Sequence, residues 1–198
     1  MKARTNQKHI LYVCQAGIVA ALYTVLTCVV GAFDLASGAI QFRVSEALCV
    51  MPVFFPAAIP GLTIGCVISN LITGGLWQDV VFGSLATLVG ALGAYLLRQA
   101  PAWLTTVPTI LANALVVPPI LVYAYHMEGG LPFITLTVTA GEMLSAGVFG
   151  TLLCILIRRR NLFGRRHDYL CERGTEYGPH QSVPRRRGGA PKTGAKRL

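Results

Sequence analysis

The stretch that follows the basic start of the chain, Ile10 to Phe33, contains no charged side chain over 24 residues. As an α-helix it would be about 36 Å long, enough to cross the roughly 30 Å hydrocarbon core of a bilayer. A signal peptide also has a basic start and an apolar run, but its apolar core is only about 7–15 residues long. The length therefore favours a membrane-spanning helix.

Charged residues are scarce in the rest of the chain up to Ile157 and frequent after it. The whole sequence is 54% hydrophobic and 13% charged, which is unlike an ordinary soluble domain. Between residues 10 and 157 the basic residues are Arg43 and Arg98, and the remaining lysines and arginines lie near the two ends. Basic ends are typically cytoplasmic. We therefore expect a multi-pass protein of a bacterial plasma membrane, in contact with lipid and with both termini on the cytoplasmic side. No nucleic-acid partner is expected.

This segregation of charge predicts three regions. Residues 1–9 form a basic cytoplasmic N-terminus, residues 10–157 form the membrane domain, and residues 158–198 form an arginine-rich cytoplasmic tail. The tail has few apolar residues and is expected to be disordered.

Motifs for catalysis or ATP hydrolysis are missing from the sequence. It contains no phosphate-binding GxxxxGK[ST] loop, no nucleophile elbow and no HExxH zinc motif. The six cysteines include no CxxC pair, so buried free thiols are expected, with no metal and no cofactor. The chain is therefore predicted not to be an enzyme, and any ATP hydrolysis must come from a partner.

Four further apolar stretches follow the first one: 47–73, 80–97, 107–125 and 131–157. The stretch 47–73 is interrupted by prolines, and a proline inside a helix removes a backbone hydrogen bond. Two cytoplasmic ends require an even number of crossings, so we count this stretch as two spans. A re-entrant hairpin there would give four crossings with the same sidedness elsewhere. The sequence thus predicts an all-α integral membrane protein with six transmembrane helices.

The outer loops of this topology are 34–44, 74–79 and 126–130. Most of the unusual polar residues lie in or beside them, and short proline-interrupted segments indicate transporter binding sites. We therefore predict a small-molecule pocket that includes polar or aromatic residues from these loops and from the spans: Gln41, Arg43, Glu46, Asn70, Trp77, Asp79, Asn113 and Glu142.

Charged residues within the membrane region are the most informative of these. Each costs roughly 2.5–3.5 kcal/mol to insert, so it is expected to pair, to line a cavity or to bind a ligand. Glu142 lies deep in the last span, on one helical stripe with Thr139 and Ser145. We expect Glu142 to contact a cationic or hydrogen-bond-donating part of a ligand, the alternative being a structural pair with Arg43. Arg43 could also pair with Glu46, three residues away.

The uncharged candidates each have two interpretations. The amides of Asn70 and Asn113 suit the edge of a heterocyclic base, and they equally suit hydrogen bonds between helices. Trp77 suits stacking on a planar ligand or an interfacial position. In the first span, Ala16, Ala20 and Thr24 form a small-residue face that suits either internal packing or a partner subunit.

Three segments carry a family resemblance: Gly38–Leu48 (GAIQFRVSEAL), Phe55–Leu62 (FPAAIPGL) and Asp79–Leu88 (DVVFGSLATL). Together with the small-residue first helix, they resemble the QueT family over roughly residues 10–158. QueT proteins are membrane-embedded substrate-binding (S) components of energy-coupling-factor (ECF) transporters. The resemblance places the family's signature on Gln41, Arg43 and Glu46.

The resemblance implies a six-helix S component that imports queuosine precursors, the deazaguanine bases used in transfer-RNA modification. It also implies assembly with a transmembrane coupling subunit and two ATPase subunits, with the first-helix alanine motif on Ala16 and Ala20 as the coupling face. Two alternatives remain open at this point. The chain could be an S component for another vitamin-like molecule, or a non-transport membrane protein whose basic tail recruits RNA or a partner.

Overall fold

The computed structural model of the protein describes residues 2–32, 43–127 and 130–160, with side chains from residue 6 onward. Gln41, most of the predicted outer loop 34–44 and the predicted tail after residue 160 lie outside the described residues.

The described residues form six helices and contain no strand, which confirms the predicted all-α class. The helices are α1 (Lys2–Ala32), α2 (Val44–Val53), α3 (Ala58–Ile72), α4 (Asp79–Leu96), α5 (Val107–Tyr123) and α6 (Gly130–Arg160). Three of them, α1, α4 and α6, are long and apolar enough to cross a membrane. Of the shorter three, α2 is wound as a 3₁₀-helix.

The proline-interrupted region forms two separate helices. α2 ends at Val53 and α3 begins at Ala58, with Pro56 in the turn between them. Pro60 lies in the first turn of α3, where its missing N–H would have had no helical partner in any case. The prediction of two elements in the stretch 47–73 is therefore confirmed.

The direction of α2 follows from the contact between α1 and α3. A Cβ atom built on Gly61 would lie 2.6 Å from the carbonyl oxygen of Ala16, and one on Gly65 would lie 2.9 Å from that of Ala20. Thr24 Oγ1 also donates to the carbonyl oxygen of Gly65, at 3.3 Å. Later residues of α1 thus meet later residues of α3, so the two helices are parallel. The helix that lies between them in the sequence, α2, must therefore run in the opposite direction.

The remaining helices continue this alternation. On α4 and α5, Gly90 lies against Thr109 and Gly93 lies against Pro108, so these helices are antiparallel. Arg158, near the end of α6, donates to the carbonyl oxygens of Arg98 and Ala100 at 3.1 Å. The end of α6 and the α4–α5 connection therefore share one end of the bundle, as the alternating topology requires. We call this the basic end.

The short helix α2 lies at the centre and contacts α1, α3, α4 and α6. Its residues from Ser45 to Val50 are all buried. Gly150 of α6 lies against Val50, and the Ser145 hydroxyl donates to the carbonyl oxygen of Arg43, so α2 and α6 are parallel. Large apolar side chains on the outward faces of the other helices are exposed, as expected for a surface in lipid.

The α1–α3 contact predicts a large difference between two glycine substitutions. Gly61→Ala should destabilise the protein by about 1–3 kcal/mol, because the new methyl group would overlap the Ala16 carbonyl oxygen. Gly17→Ala is the matched control on α1, since a Cβ atom there meets nothing within 4 Å. Thermal unfolding of the purified variants in detergent measures the difference, and equal stability would contradict this close contact.

Candidate functional site

A cavity of about 520 Å³ opens at the end of the bundle opposite the basic end. It is formed where α1, α3 and α5 end and where α2 and α4 begin. Its described lining includes several polar side chains: Thr27, Arg43, Asn70, Thr73, Asp79 and Tyr125. This volume is in the range of pockets that enclose one small organic molecule.

An ion pair between Arg43 and Asp79 lies in the cavity wall. The guanidinium Nη2 is 3.4 Å from Asp79 Oδ2, and the two side chains are 14% and 11% exposed. Charge-assisted hydrogen bonds are usually about 2.7–2.9 Å long, so this contact is loose. Asp79 Oδ1 is buried and has no hydrogen-bond partner within the described part of the chain.

Asp79 is positioned by backbone contacts more than by its ion pair. Asn70 Nδ2 donates to the Asp79 carbonyl oxygen at 3.2 Å. Asp79 also begins a π-helical segment, Asp79–Gly83, and such widened turns occur often at functional sites. At Gly83 a Cβ atom would lie 3.1 Å from Asp79 Oδ1, so glycine leaves the room that this carboxylate needs.

A second carboxylate, Glu46, is buried in the interface between α1 and α2 and is only 1% exposed. It accepts a hydrogen bond of 2.5 Å from the Tyr23 hydroxyl and one of 3.0 Å from the Cys49 thiol. The Glu46 carboxyl group therefore already accepts two hydrogen bonds from protein side chains.

Glu142 on α6 is also buried, at 4% exposed, but one of its two carboxyl oxygens is left without a regular hydrogen bond to the described residues. The side-chain amide of Asn113 on α5 lies within hydrogen-bonding range of the Glu142 carboxyl group, and Glu46 is another neighbour. Glu142 Oε2 and Asn113 Nδ2 are buried, and neither makes a hydrogen bond of regular geometry to residues that the structure describes. A buried polar group without a partner costs about 1–3 kcal/mol, which is commonly offset by a ligand, an ion or water.

We call Tyr23, Glu46, Asn113 and Glu142 the inner cluster. The Arg43 charge acts on Tyr23, Glu46 and Glu142 as well as on Asp79. In the described part of the bundle this guanidinium thus pairs with Asp79 and is within electrostatic range of two further carboxyl groups, Glu46 and Glu142. A site with such an excess of acceptors suits a ligand that brings a positive charge or several N–H donors.

Most of the predicted site residues come together here. Six of them lie in the cavity wall or the inner cluster: Arg43, Glu46, Asn70, Asp79, Asn113 and Glu142. Trp77 is 66% exposed and is not among the cavity-lining residues. The ion-pair partner of Arg43 is Asp79, rather than the Glu46 or Glu142 considered from the sequence.

Tyr23 is the important residue that sequence reasoning missed. Its hydroxyl lies in the middle of an apolar span, and a buried tyrosine hydroxyl normally requires a hydrogen-bond partner. That requirement is a signal that could have placed it at the site.

The first-span face of Ala16, Ala20 and Thr24 packs against α3, so internal packing occupies it. Ala20 is buried there. Gly17 and Ala21 are small residues of α1 that are exposed, on another side of the helix.

Comparisons with known proteins confirm the family resemblance. The profile of the QueT transporter family matches residues 13–159. A stretch of 72 residues is 49% identical to the "Queuosine precursor transporter QueT" of Lactococcus lactis subsp. cremoris (strain MG1363). That stretch covers 36% of this chain and 42% of the relative, so it spans less than half the relative's length. No solved structure matches the chain.

The ion pair predicts a non-additive effect on stability. Arg43→Met should destabilise the protein by about 3–5 kcal/mol, because Asp79 is left without its cation in a mostly buried site. Arg43→Met/Asp79→Asn should be more stable than the sum of the single variants predicts, by about 1–3 kcal/mol. Chemical unfolding of the four proteins completes the double-mutant cycle. Strict additivity would show that the two side chains do not interact.

Proposed function

The chain belongs to the QueT transporter family, and we propose that it is an S component that binds queuosine precursors for import. The family is one of transporters and not of enzymes, which agrees with the expectation from the sequence. The substrate proposed here is a deazaguanine base, in particular one that carries an aminomethyl group. The relative from Lactococcus lactis, which matches part of this chain, is named a queuosine precursor transporter, and that name supports this substrate class.

The observation that carries the proposal is that one buried acceptor atom, Glu142 Oε2, and one buried donor atom, Asn113 Nδ2, lack a well-formed hydrogen bond to the described residues. A guanine-type edge presents neighbouring N–H donors and a carbonyl acceptor. A carboxylate can accept two of those donors, and an amide N–H₂ can donate to the carbonyl. Glu142 Oε2 and Asn113 Nδ2 are an acceptor and a donor of this kind.

We further propose that transport depends on ECF partners, namely a transmembrane coupling subunit and two ATPases. The sequence lacks a nucleotide-binding motif of its own. Since there is no hydrophobic driving force between helices in lipid, a docking surface needs small residues that allow close approach. The predicted face of Ala16, Ala20 and Thr24 packs against α3, so we place the docking surface on the adjacent exposed residues Gly17 and Ala21.

The proposed orientation in the plasma membrane puts both termini in the cytoplasm. The cavity then opens outward, because it lies opposite the basic end. An importer has to collect its substrate from that side.

Binding of the base should depend on Glu142. Glu142→Gln is expected to weaken binding of the aminomethyl deazaguanine base by about 1.5–3 kcal/mol, the scale of a hydrogen bond to a charged group. An analogue without the exocyclic amino group should lose much less affinity in this variant, since one donor to Glu142 is already missing. Isothermal titration in detergent measures both ligands.

Thr135→Val is the matched control for this test on the same helix. Its hydroxyl donates to the Leu131 carbonyl oxygen within α6 and lies outside the inner cluster. The control should bind like the parent chain. Unchanged affinity in a folded Glu142→Gln variant would remove Glu142 from the binding site.

Two exposed tryptophans at opposite ends test the orientation. Trp77→Cys should react with a membrane-impermeant maleimide in intact cells, above the labelling of the parent chain. Trp103→Cys should react only after the cells are opened, because Trp103 lies at the basic end in the α4–α5 connection. The side chains are 66% and 59% exposed, so access to reagent is comparable. The reverse pattern would place the cavity on the cytoplasmic side.

The coupling surface is tested by adding bulk to α1. Gly17→Trp and Ala21→Trp should reduce copurification of the coupling subunit while the isolated protein still binds the base. Leu115→Trp on α5 is the control, because this side chain is exposed on another helix of the bundle. Normal assembly of both α1 variants would locate the docking surface elsewhere.

A further inference from the structure

We infer that the Arg43 guanidinium occupies the position beside the Asp79 carboxylate that the cationic group of the substrate takes when the substrate binds. In this exchange the aminomethyl ammonium pairs with Asp79, and the guanidinium turns toward the carboxyl groups of the inner cluster. The inference rests on the proposed function, because it assigns the group that recognises the aminomethyl substituent.

The location of the ion pair allows such an exchange. Arg43 and Asp79 line the cavity, whereas Glu46, Asn113 and Glu142 are not among its lining residues. The Arg43 charge nevertheless acts on Glu46 and Glu142, so the guanidinium lines the cavity and is also within electrostatic range of the inner cluster. A base that enters the cavity therefore meets the Arg43–Asp79 ion pair.

The ion pair is also built to be replaced. It consists of one contact of 3.4 Å, where a well-formed charged hydrogen bond is about 2.7–2.9 Å. Asp79 Oδ1 has no partner in the described chain, so a second donor can be accepted there. An ammonium group carries three N–H donors and can donate hydrogen bonds to both carboxylate oxygens.

The backbone at both residues is fixed, so the exchange involves side chains. Asn70 Nδ2 holds the Asp79 carbonyl oxygen. The Arg43 carbonyl oxygen accepts from the Glu46 backbone N–H at 3.0 Å and from the Ser145 hydroxyl. Asp79 therefore stays at the cavity wall while the long Arg43 side chain turns about its fixed backbone.

The guanidinium also has a destination. Glu46 and Glu142 are carboxyl groups in its surroundings, and the Arg43 charge acts on both of them. Removing one partner of a buried ion pair is costly, whereas a change of partner keeps both charges compensated. Ligand binding thus brings a second cation to a site that has three carboxyl groups.

The experiment compares two ligands that differ only in charge: the aminomethyl deazaguanine base and an analogue with a methyl group in its place. The measured quantity is the ratio of their affinities for the full chain in detergent, by isothermal titration. The parent chain should prefer the aminomethyl base by about 10- to 100-fold. Asp79→Asn should reduce this preference to within about threefold, because the ammonium group then has no carboxylate at this position.

Arg43 is tested as the competitor through the same ratio. Arg43→Met should raise the preference for the aminomethyl base above that of the parent chain, because Asp79 is then free. Arg43→Lys keeps a cation and is less disruptive, so its preference for the aminomethyl base should lie between that of the parent chain and that of Arg43→Met. If the methionine variant cannot be purified, Arg43→Lys alone provides the test.

The outcomes separate the inference from the proposed function. Failure of the parent chain to bind either base would contradict the proposed function. Binding of the base with an unchanged preference in Asp79→Asn would overturn the inference and place the cation on another carboxylate. A preference that stays the same or falls in the Arg43 variants would overturn the exchange and leave Arg43 as a structural brace.

Discussion

The structure depends on burying one guanidinium among three carboxyl groups inside an apolar bundle. Charges at this depth are stable only with partners, and the neighbouring elements supply them. Tyr23 donates to Glu46, Asn70 holds the backbone of Asp79, and Ser145 holds the backbone of Arg43. What the described bundle does not supply is a partner for Glu142 Oε2 and Asp79 Oδ1. Those two atoms are where we propose that the ligand donates its hydrogen bonds.

Departures from α-helical geometry occur at each of these carboxyl groups. Glu46 lies in the 3₁₀-helix α2, Asp79 begins one π-helical segment, and Glu142 directly precedes another, Met143–Gly150. Altered helical turns re-aim side chains and free backbone groups, and they are frequent at functional sites. The close glycine contact between α1 and α3 supports this arrangement, because it allows α1 to bring Tyr23 onto Glu46.

Much of the fold could be predicted from charge distribution and proline positions. Both basic ends required an even number of spans, and the prolines divided the stretch 47–73 at the place where α2 ends. The ion-pair partner of Arg43 could not be predicted, because Asp79 is 36 residues away and only the packing of α2 beside α4 brings the two together. Likewise, spacing showed that Ala16 and Ala20 share a face, but not that Gly61 and Gly65 occupy it.

The central claim is that this carboxylate-rich site holds one cationic deazaguanine base. Native mass spectrometry of the chain, purified from bacteria supplied with an isotope-labelled aminomethyl base, tests it most directly. We predict a one-to-one complex whose added mass carries the label and is released by excess unlabelled base. Retention of an unlabelled molecule of different mass under these conditions would contradict the assigned substrate, and an unliganded chain would contradict binding of this base.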